Sequence, residues 1–282
     1  MGAASATESY LLDFHHRHPG ATAQIVGKAA VEVGGRCWPS SYAWLADQVP
    51  RRNPSADGSM AVLDLACGSG EVLRLLAERD QPGLTLIGVD LSPSELAVAA
   101  AALGDRARLI EARAQALPLP PASIDMIVSH LALMLMDEMD EVVASMHRVL
   151  KPGGRIACVV WSSFVPGDGF EIFSQALRVV MAREGVSGHQ IGDRRTLTAE
   201  GLTALFGAHF TSLAITELTA RQYGTPEEIW QQMAPSYDVD LLSPDGRSSL
   251  HDDFLRKLVP LCDRQGRVGC SFRLRALTAR RE

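Results

Sequence analysis

The chain has 282 residues, of which 46% are hydrophobic and 21% are charged, a balance typical of a globular protein that can bury one large α/β core. Its formal net charge of −6 argues against nucleic acid as a partner, since binding a phosphate backbone needs a dense lysine and arginine face. No apolar run reaches the length of a membrane span and no secretory signal pattern opens the chain, so we expect a cytoplasmic protein with no membrane contact.

The first fifty residues have apolar positions at helical spacing, and they predict helices over about 5–18 and 39–49. Turn residues between 50 and 59 separate this part from the rest of the chain. We therefore expect residues 1–50 to form an N-terminal helical lid and residues 51–282 to form the main domain.

Strands and helices alternate from residue 60 onwards, which predicts parallel strands joined by right-handed crossovers. The predicted strands lie at 60–66, 84–90, 107–112, 123–130, 152–161, 211–220 and 269–280. Helices at about 225–262 separate the last two strands, which favours an antiparallel edge and a helical insertion before the last strand. The expected fold is α/β and Rossmann-like, with a seven-stranded, mostly parallel sheet and helices on both faces.

The stretch "VLDLACGSGEVLRLLA" runs from a buried strand through Gly68 and Gly70 onto a helix N-terminus. Glycines let a backbone turn sharply and approach a ligand closely. Asp90 ends the next strand, where a carboxylate can accept hydrogen bonds from a ribose diol. These features predict an adenosine-containing ligand. A dinucleotide fits poorly, because the third glycine of its motif is missing and Glu71 would repel a pyrophosphate.

Four segments, "VLDLACGSG", "IGVDLS", "ALPLPPASIDMIVSHLAL" and "RVLKPGGRIACVV", resemble in order and spacing the motifs of class I S-adenosylmethionine (SAM)-dependent methyltransferases. The resemblance is closest to the small-molecule branch similar to ubiquinone and menaquinone methyltransferases. It is strong over residues 60–161 and loose over the late strands. It implies SAM as the cofactor, S-adenosylhomocysteine as the product, and a small-molecule acceptor methylated at O, N or C. We expect a role in bacterial secondary metabolism and a homodimer.

The resemblance also implies cofactor-binding residues, namely Asp64, Ala66, Gly68, Gly70, Asp90, Leu91, Arg113, Ala114 and Ser129. Asp64 and the loop 66–70 would hold the methionine part, and Asp90 would bind the ribose. Leu91 would lie against the adenine, Ala114 would donate its backbone N–H to the ring, and Ser129 would lie beside the sulfonium.

Two positions depart from the family pattern. Ala66 replaces a usual glycine, a change that we expect to be tolerated. Arg113 stands where the family often has Asp or Asn, and it cannot accept a hydrogen bond from the adenine amino group. Adenine recognition would then rest on the backbone, or Arg113 would stack or turn away.

Methyl transfer depends mainly on alignment and exclusion of water, and a general base is needed only for some acceptors. His130, beside the cofactor edge, is the first candidate base, with a packed histidine as the equal alternative. His15, on the first helix, is the second candidate, with a solvated helix face as its alternative. No residue spacing predicts a metal site or a disulfide framework. A cyclase that keeps SAM or its product as a structural group remains the alternative function.

Overall fold

The computed structural model describes residues 5–51, 58–188 and 191–282. The strands in these ranges are β1 (Ala30–Val33), β2 (Arg36–Trp38), β3 (Met60–Leu65), β4 (Leu84–Asp90), β5 (Arg108–Glu111), β6 (Ile124–His130), β7 (Leu150–Phe164), β8 (Thr211–Gly224) and β9 (Val268–Arg280). The α-helices are α1 (Ala6–Arg17), α2 (Ala21–Val26), α3 (Ser41–Gln48), α4 (Glu71–Ala77), α5 (Pro93–Leu103), α6 (Met139–Val149), α7 (Gly169–Glu184), α8 (Ala199–Gly207), α9 (Pro226–Met233), α10 (Tyr237–Asp240) and α11 (Pro244–Leu258).

The strands of the described residues form one sheet in the order β2-β1-β8-β9-β7-β6-β3-β4-β5. The run from β7 to β5 is parallel throughout. Strand β9 lies between β7 and β8 and is antiparallel to both, as the sequence predicts for the late strands. The helices α9 to α11 occupy the connection between β8 and β9, where an insertion was expected.

The predicted number of seven strands is wrong, because the sheet has nine strands within the part of the chain that the structure describes. The two additional strands, β1 and β2, form a hairpin within the N-terminal part, which the sequence predicts as a helical lid. Strand β1 pairs with β8, so it covers backbone groups that would otherwise be exposed at the edge of the sheet. Strands of three and four residues are too short to give an alternating pattern.

Hydrophobic residues cover both faces of the sheet, and β3 contributes to both layers. Val62 packs into the layer that includes α4 and α5, whereas Leu63 and Leu65 pack into the layer that includes α6 and α8. This alternation follows from the two-residue period of a strand. A third cluster joins α7 to α9 and α11 around Phe173, Trp230 and Phe254. The five parallel strands are therefore buried between helices, and polar groups at their carboxyl ends face the loops.

None of the described helices is long and apolar enough to cross a membrane. The predicted lid and the boundary between residues 50 and 51 remain predictions. Most of the turn-rich stretch that suggested this boundary, residues 52–57, lies outside the described residues.

Candidate functional site

The loop between β3 and α4 turns sharply at the carboxyl edge of the sheet. Ala66, Gly68 and Gly70 all have positive φ, at 55°, 51° and 84°. A Cβ at Gly70 would lie 3.1 Å from both the Ala99 Cβ and the Leu103 Cδ1, so close packing of α5 also requires glycine there. Ala66 adopts the same left-handed region with a side chain, which costs about 1 kcal/mol. The loop tolerates this alanine at the price of local strain.

Asp90 links the glycine loop to the start of α5. Its Oδ2 accepts a hydrogen bond from the Gly68 N–H at 2.8 Å, and its Oδ1 accepts one from the Ser92 N–H at 2.8 Å. Burial raises the pKa of Asp90, and the two backbone hydrogen bonds oppose that rise. Each carboxylate oxygen has a second lone pair. Asp90 can therefore hold the loop and still accept a hydrogen bond from a ligand, a structural role that the sequence did not indicate.

Asp64, on β3, is buried, and neither of its carboxylate oxygens has a hydrogen-bond partner among the described residues. Burial raises the pKa of Asp64 well above its usual range, and the nearby charge of Asp90 adds to the effect. A buried carboxylate without a partner is unfavourable. A cationic donor from a ligand would remove this cost.

These loops open onto one cavity with about 1090 Å³ of empty space, including open solvent at its mouth. The predicted site residues on its wall are Asp64, Ala66, Gly68, Asp90, Leu91, Arg113, Ala114, His15 and His130. Two predicted cofactor residues lie behind this wall: Gly70 packs against α5, and Ser129 is fully buried on β6.

Cys67 also lies on the cavity wall, but its thiol packs into the core. A Cβ at Gly88 would lie 2.8 Å from the Cys67 Sγ. Burial raises the pKa of the Cys67 thiol well above its usual range, so the thiolate is disfavoured. The cysteine therefore serves packing.

His130 is buried at the carboxyl end of β6. Its Nε2 lies 2.8 Å from the Ser41 Oγ, and its ring stacks on Tyr42 with a centroid separation of 3.8 Å. The Nδ1 atom has no hydrogen-bond partner among the described residues. Burial lowers the pKa of His130 to about 3, so the imidazole is neutral at physiological pH. The ring is thus fixed, uncharged and has one nitrogen available.

His15 lies between two other chain segments and is not on a solvated face, because its side chain is only 16% exposed. Its Nδ1 is 2.8 Å from the Glu95 Oε1, and its Nε2 is 3.1 Å from the Tyr237 hydroxyl. Burial raises the pKa of Tyr237, which stays protonated. Both nitrogens of His15 already have partners, so action as a base would require that Tyr237 move away.

Arg113 turns towards α1. Its Nε donates to the Glu8 Oε1 at 2.7 Å, and its Nη2 donates to the Glu138 Oε2 at 3.2 Å. The guanidinium therefore joins α1 to the cavity edge.

Glu8, Glu95 and Tyr237 also line the cavity, and none of them is among the predicted site residues. Glu95 occupies the third position after the N-cap Ser92, a spacing typical of a helix cap. Its carboxylate instead accepts hydrogen bonds from the N-terminal part. Glu8 does form a capping box with Ser5, and its other oxygen binds Arg113. A local capping pattern concealed both long-range contacts.

Comparison with known proteins gives a match between residues 63–158 and a family profile described as a methyltransferase domain. A demethylmenaquinone methyltransferase from Thermus thermophilus is 37% identical over 98 residues, which cover 34% of this chain and 44% of the relative. An uncharacterized methyltransferase from Synechocystis is 31% identical over 51% of this chain and 64% of its own length. The chain spans about half the length of the curated relatives it matches.

Among solved structures, the [4+2]-cyclase SpnF is similar with a TM-score of 0.58 at 19% identity, covering all of this chain and 98% of SpnF. A Haemonchus contortus phosphoethanolamine N-methyltransferase in complex with S-adenosylhomocysteine gives a TM-score of 0.57 at 16% identity, over 99% of this chain and 60% of the other. At these identities the likeness concerns the fold alone.

Proposed function

We propose that the protein, whose residues 63–158 match a methyltransferase domain profile, is a class I SAM-dependent methyltransferase that transfers the methyl group of SAM to O, N or C of a small molecule in bacterial secondary metabolism. The observation that carries this proposal is the cavity, which combines a glycine loop and an unpartnered buried carboxylate with an apolar wall contributed by α1.

The residues present fit SAM as the cofactor. Asp64 has two buried carboxylate oxygens that need a cationic donor, and an amino acid ammonium supplies one. The positive φ at Gly68 brings the loop backbone to the cavity wall, where the methionine part of SAM would lie. Asp90 retains lone pairs for a ribose, and Leu91 and Ala114 line the wall for the adenine. When bound, SAM supplies a methyl group activated by its sulfonium.

The acceptor side is apolar. Leu11 and Leu12 of α1 face the cavity together with Leu135 and Met136 from the segment after β6. We assign α1 the role of a lid, which excludes water and confines a small acceptor. Five side chains on the wall are carboxylic acids, and its one arginine, Arg113, is already paired with two acids. This charge favours a cationic cofactor and a neutral or cationic acceptor.

His130 orients the acceptor in this proposal. A pKa of about 3 makes its imidazole a weak base, so removal of a proton is not its main contribution. With Nε2–H donating to Ser41, Nδ1 can accept a hydrogen bond from the reacting O–H or N–H of the acceptor. His15 holds α1 against α5 through Glu95, and both histidines line the cavity.

Calorimetric titration with SAM and S-adenosylhomocysteine tests the cofactor assignment, and we expect micromolar binding of both. Transfer of labelled methyl from SAM to a panel of small phenols, quinols and amines then tests the reaction. If neither SAM nor S-adenosylhomocysteine binds, the proposal must be abandoned.

For His130→Asn we expect turnover to fall by at least about tenfold while the affinity for SAM is unchanged, because the change removes an acceptor contact and no cofactor contact. The turnover of the wild type should show no step near pH 6.5 attributable to His130, because its pKa of about 3 keeps the ring neutral. His251→Asn, at an exposed ion pair with Glu227, is the matched control. Unchanged turnover in His130→Asn would leave His130 a packing residue.

A cyclase that keeps SAM or its product as a structural group is the second candidate, because the fold that this chain shares with the [4+2]-cyclase SpnF does not by itself require methyl transfer. Labelled methyl distinguishes the two functions. Binding of both SAM and S-adenosylhomocysteine without methyl transfer to any acceptor would favour the cyclase.

A further inference from the structure

Glu95, in the first turn of α5, has a carboxylate oxygen that neither the cap nor the hydrophobic core explains. The residue is 3% exposed and lies on the cavity wall. Its Oε2 is buried and has no hydrogen-bond partner among the described residues. A buried carboxylate oxygen without a donor is unfavourable, so a donor brought by a ligand would stabilise it.

The other oxygen of the same carboxylate is held from the N-terminal part of the chain. Glu95 Oε1 accepts a hydrogen bond from the Gly20 N–H at 2.8 Å and lies 2.8 Å from the His15 Nδ1. Two contacts on one oxygen fix the orientation of the group. Oε2 consequently has a defined position and is not free to rotate into solvent.

That position is beside the ribose-binding carboxylate of the proposed function. An ideal Cβ at Gly68 would lie 3.7 Å from the Glu95 Oε2, and the Gly68 N–H donates to Asp90 Oδ2 at 2.8 Å. Both Asp90 oxygens already accept a backbone N–H, which leaves one lone pair on each. Glu95 therefore adds a second carboxylate to this part of the wall.

We propose that Glu95 Oε2 accepts a hydrogen bond from one ribose hydroxyl of the bound SAM or S-adenosylhomocysteine while Asp90 accepts from the other, an inference that rests on the proposed function. A diol provides two O–H donors and no negative charge, which suits two adjacent carboxylates. The amino group of the cofactor is the competing donor, but Asp64 offers it two unpartnered oxygens. Because Oε1 holds His15 and Gly20, Glu95 also links α1 to the bound cofactor.

The experiment compares S-adenosylhomocysteine with its 2′,3′-dideoxy analogue by calorimetry, on wild type and on Glu95→Gln. Loss of both hydroxyls should weaken binding to the wild type strongly. The ratio of the affinity for S-adenosylhomocysteine to that for its dideoxy analogue should be about tenfold smaller in Glu95→Gln than in the wild type. The substitution removes a charge-assisted hydrogen bond only from the ligand that carries the hydroxyl. A structural role of Glu95 would weaken both ligands equally and leave the ratio unchanged.

Ser94→Ala is the matched control, because Ser94 contacts His16 at 3.3 Å at an exposed position on the same helix turn. Its affinity ratio should equal that of the wild type. Glu95→Asp, which keeps the charge but shortens the side chain, is the second variant if Glu95→Gln does not fold, and the same reduced ratio is expected.

The outcomes separate the two proposals. A wild type that binds S-adenosylhomocysteine, together with an unchanged ratio in the Glu95 variants, overturns the ribose contact and leaves the proposed function intact. A wild type that binds neither S-adenosylhomocysteine nor its dideoxy analogue overturns both the ribose contact and the proposed function.

Discussion

The wall of the cavity that follows β3 and β4 is held by backbone geometry, whereas the opposite wall, α1, is held by side-chain contacts between distant segments. On the first wall, Gly68 and Ser92 donate their N–H groups to Asp90. On the second, Glu8 pairs with Arg113 at 2.7 Å and His15 with Glu95 at 2.8 Å. The first set joins residues 22 and 2 positions apart, and the second joins residues 105 and 80 positions apart.

This difference separates rigidity from adjustability. A loop fixed by left-handed glycines and by backbone N–H donors to Asp90 cannot rearrange without strain. The contacts of α1 are made by side chains, which can change rotamer without straining the backbone. We therefore expect the glycine wall to be the more rigid of the two and α1 to be the more adjustable.

The largest expected effect comes from breaking the rigid wall with Gly70→Val. The φ of 84° disfavours any side chain, and a Cβ would already lie 3.1 Å from Ala99 and Leu103. We expect a loss of roughly 2–4 kcal/mol in the free energy of unfolding, from left-handed strain and overpacking. Urea denaturation measures it. Gly207→Ala, at a helical position with open space around the Cβ, should change stability by less than about 1 kcal/mol.

A smaller effect, of the opposite sign, is expected for Asp64→Asn. Burial raises the pKa of Asp64, so the folded state binds its proton more tightly than the unfolded chain does. The wild-type free energy of unfolding therefore falls as the pH rises from about 4 towards the folded pKa, and stays reduced above it. Asn does not titrate. Without ligand, we expect the free energy of unfolding of Asp64→Asn to exceed that of the wild type by about 1–3 kcal/mol at pH 8. The difference should shrink towards pH 4.

The same variant should bind SAM at least about tenfold more weakly, because a charge-assisted contact to the ammonium is lost. Asp125→Asn is the matched control, since that carboxylate already accepts from Lys151 and from the Ala61 N–H. It should lose stability at pH 8. A decrease in stability at pH 8 in both variants would contradict the view that Asp64 lacks a stabilising partner until a ligand binds.

The smallest expected effect comes from loosening the adjustable wall with Arg113→Met. Met retains the packing of the stem and removes the contacts with Glu8 and Glu138. We expect a stability loss of about 1–2 kcal/mol, because the buried Glu8 loses a charged hydrogen-bond donor, together with faster amide hydrogen exchange confined to α1. Arg195→Met, which breaks exposed pairs with Asp140 and Asp193, controls for loss of a surface charge. Equal exchange in α1 of both variants would mean that Arg113 does not hold this helix.

The sequence determined the glycine wall because its signals are local. Positive φ at Gly68 and Gly70 follows from a turn that glycine favours, and Ser92 caps α5 three residues before the amide that it accepts from. Buried strands between amphipathic helices predicted the parallel half of the sheet in its correct positions.

Only the tertiary structure decided the other wall. The pairing of β1 with β8 joins segments that are far apart in the chain, and short strands carry no pattern that identifies their partner. The contacts of Glu8 and Glu95 likewise depend on which distant side chains the fold brings to them, while their capping positions indicate only a local role. Backbone conformation depends on neighbours in sequence, whereas a long-range ion pair depends on neighbours in space.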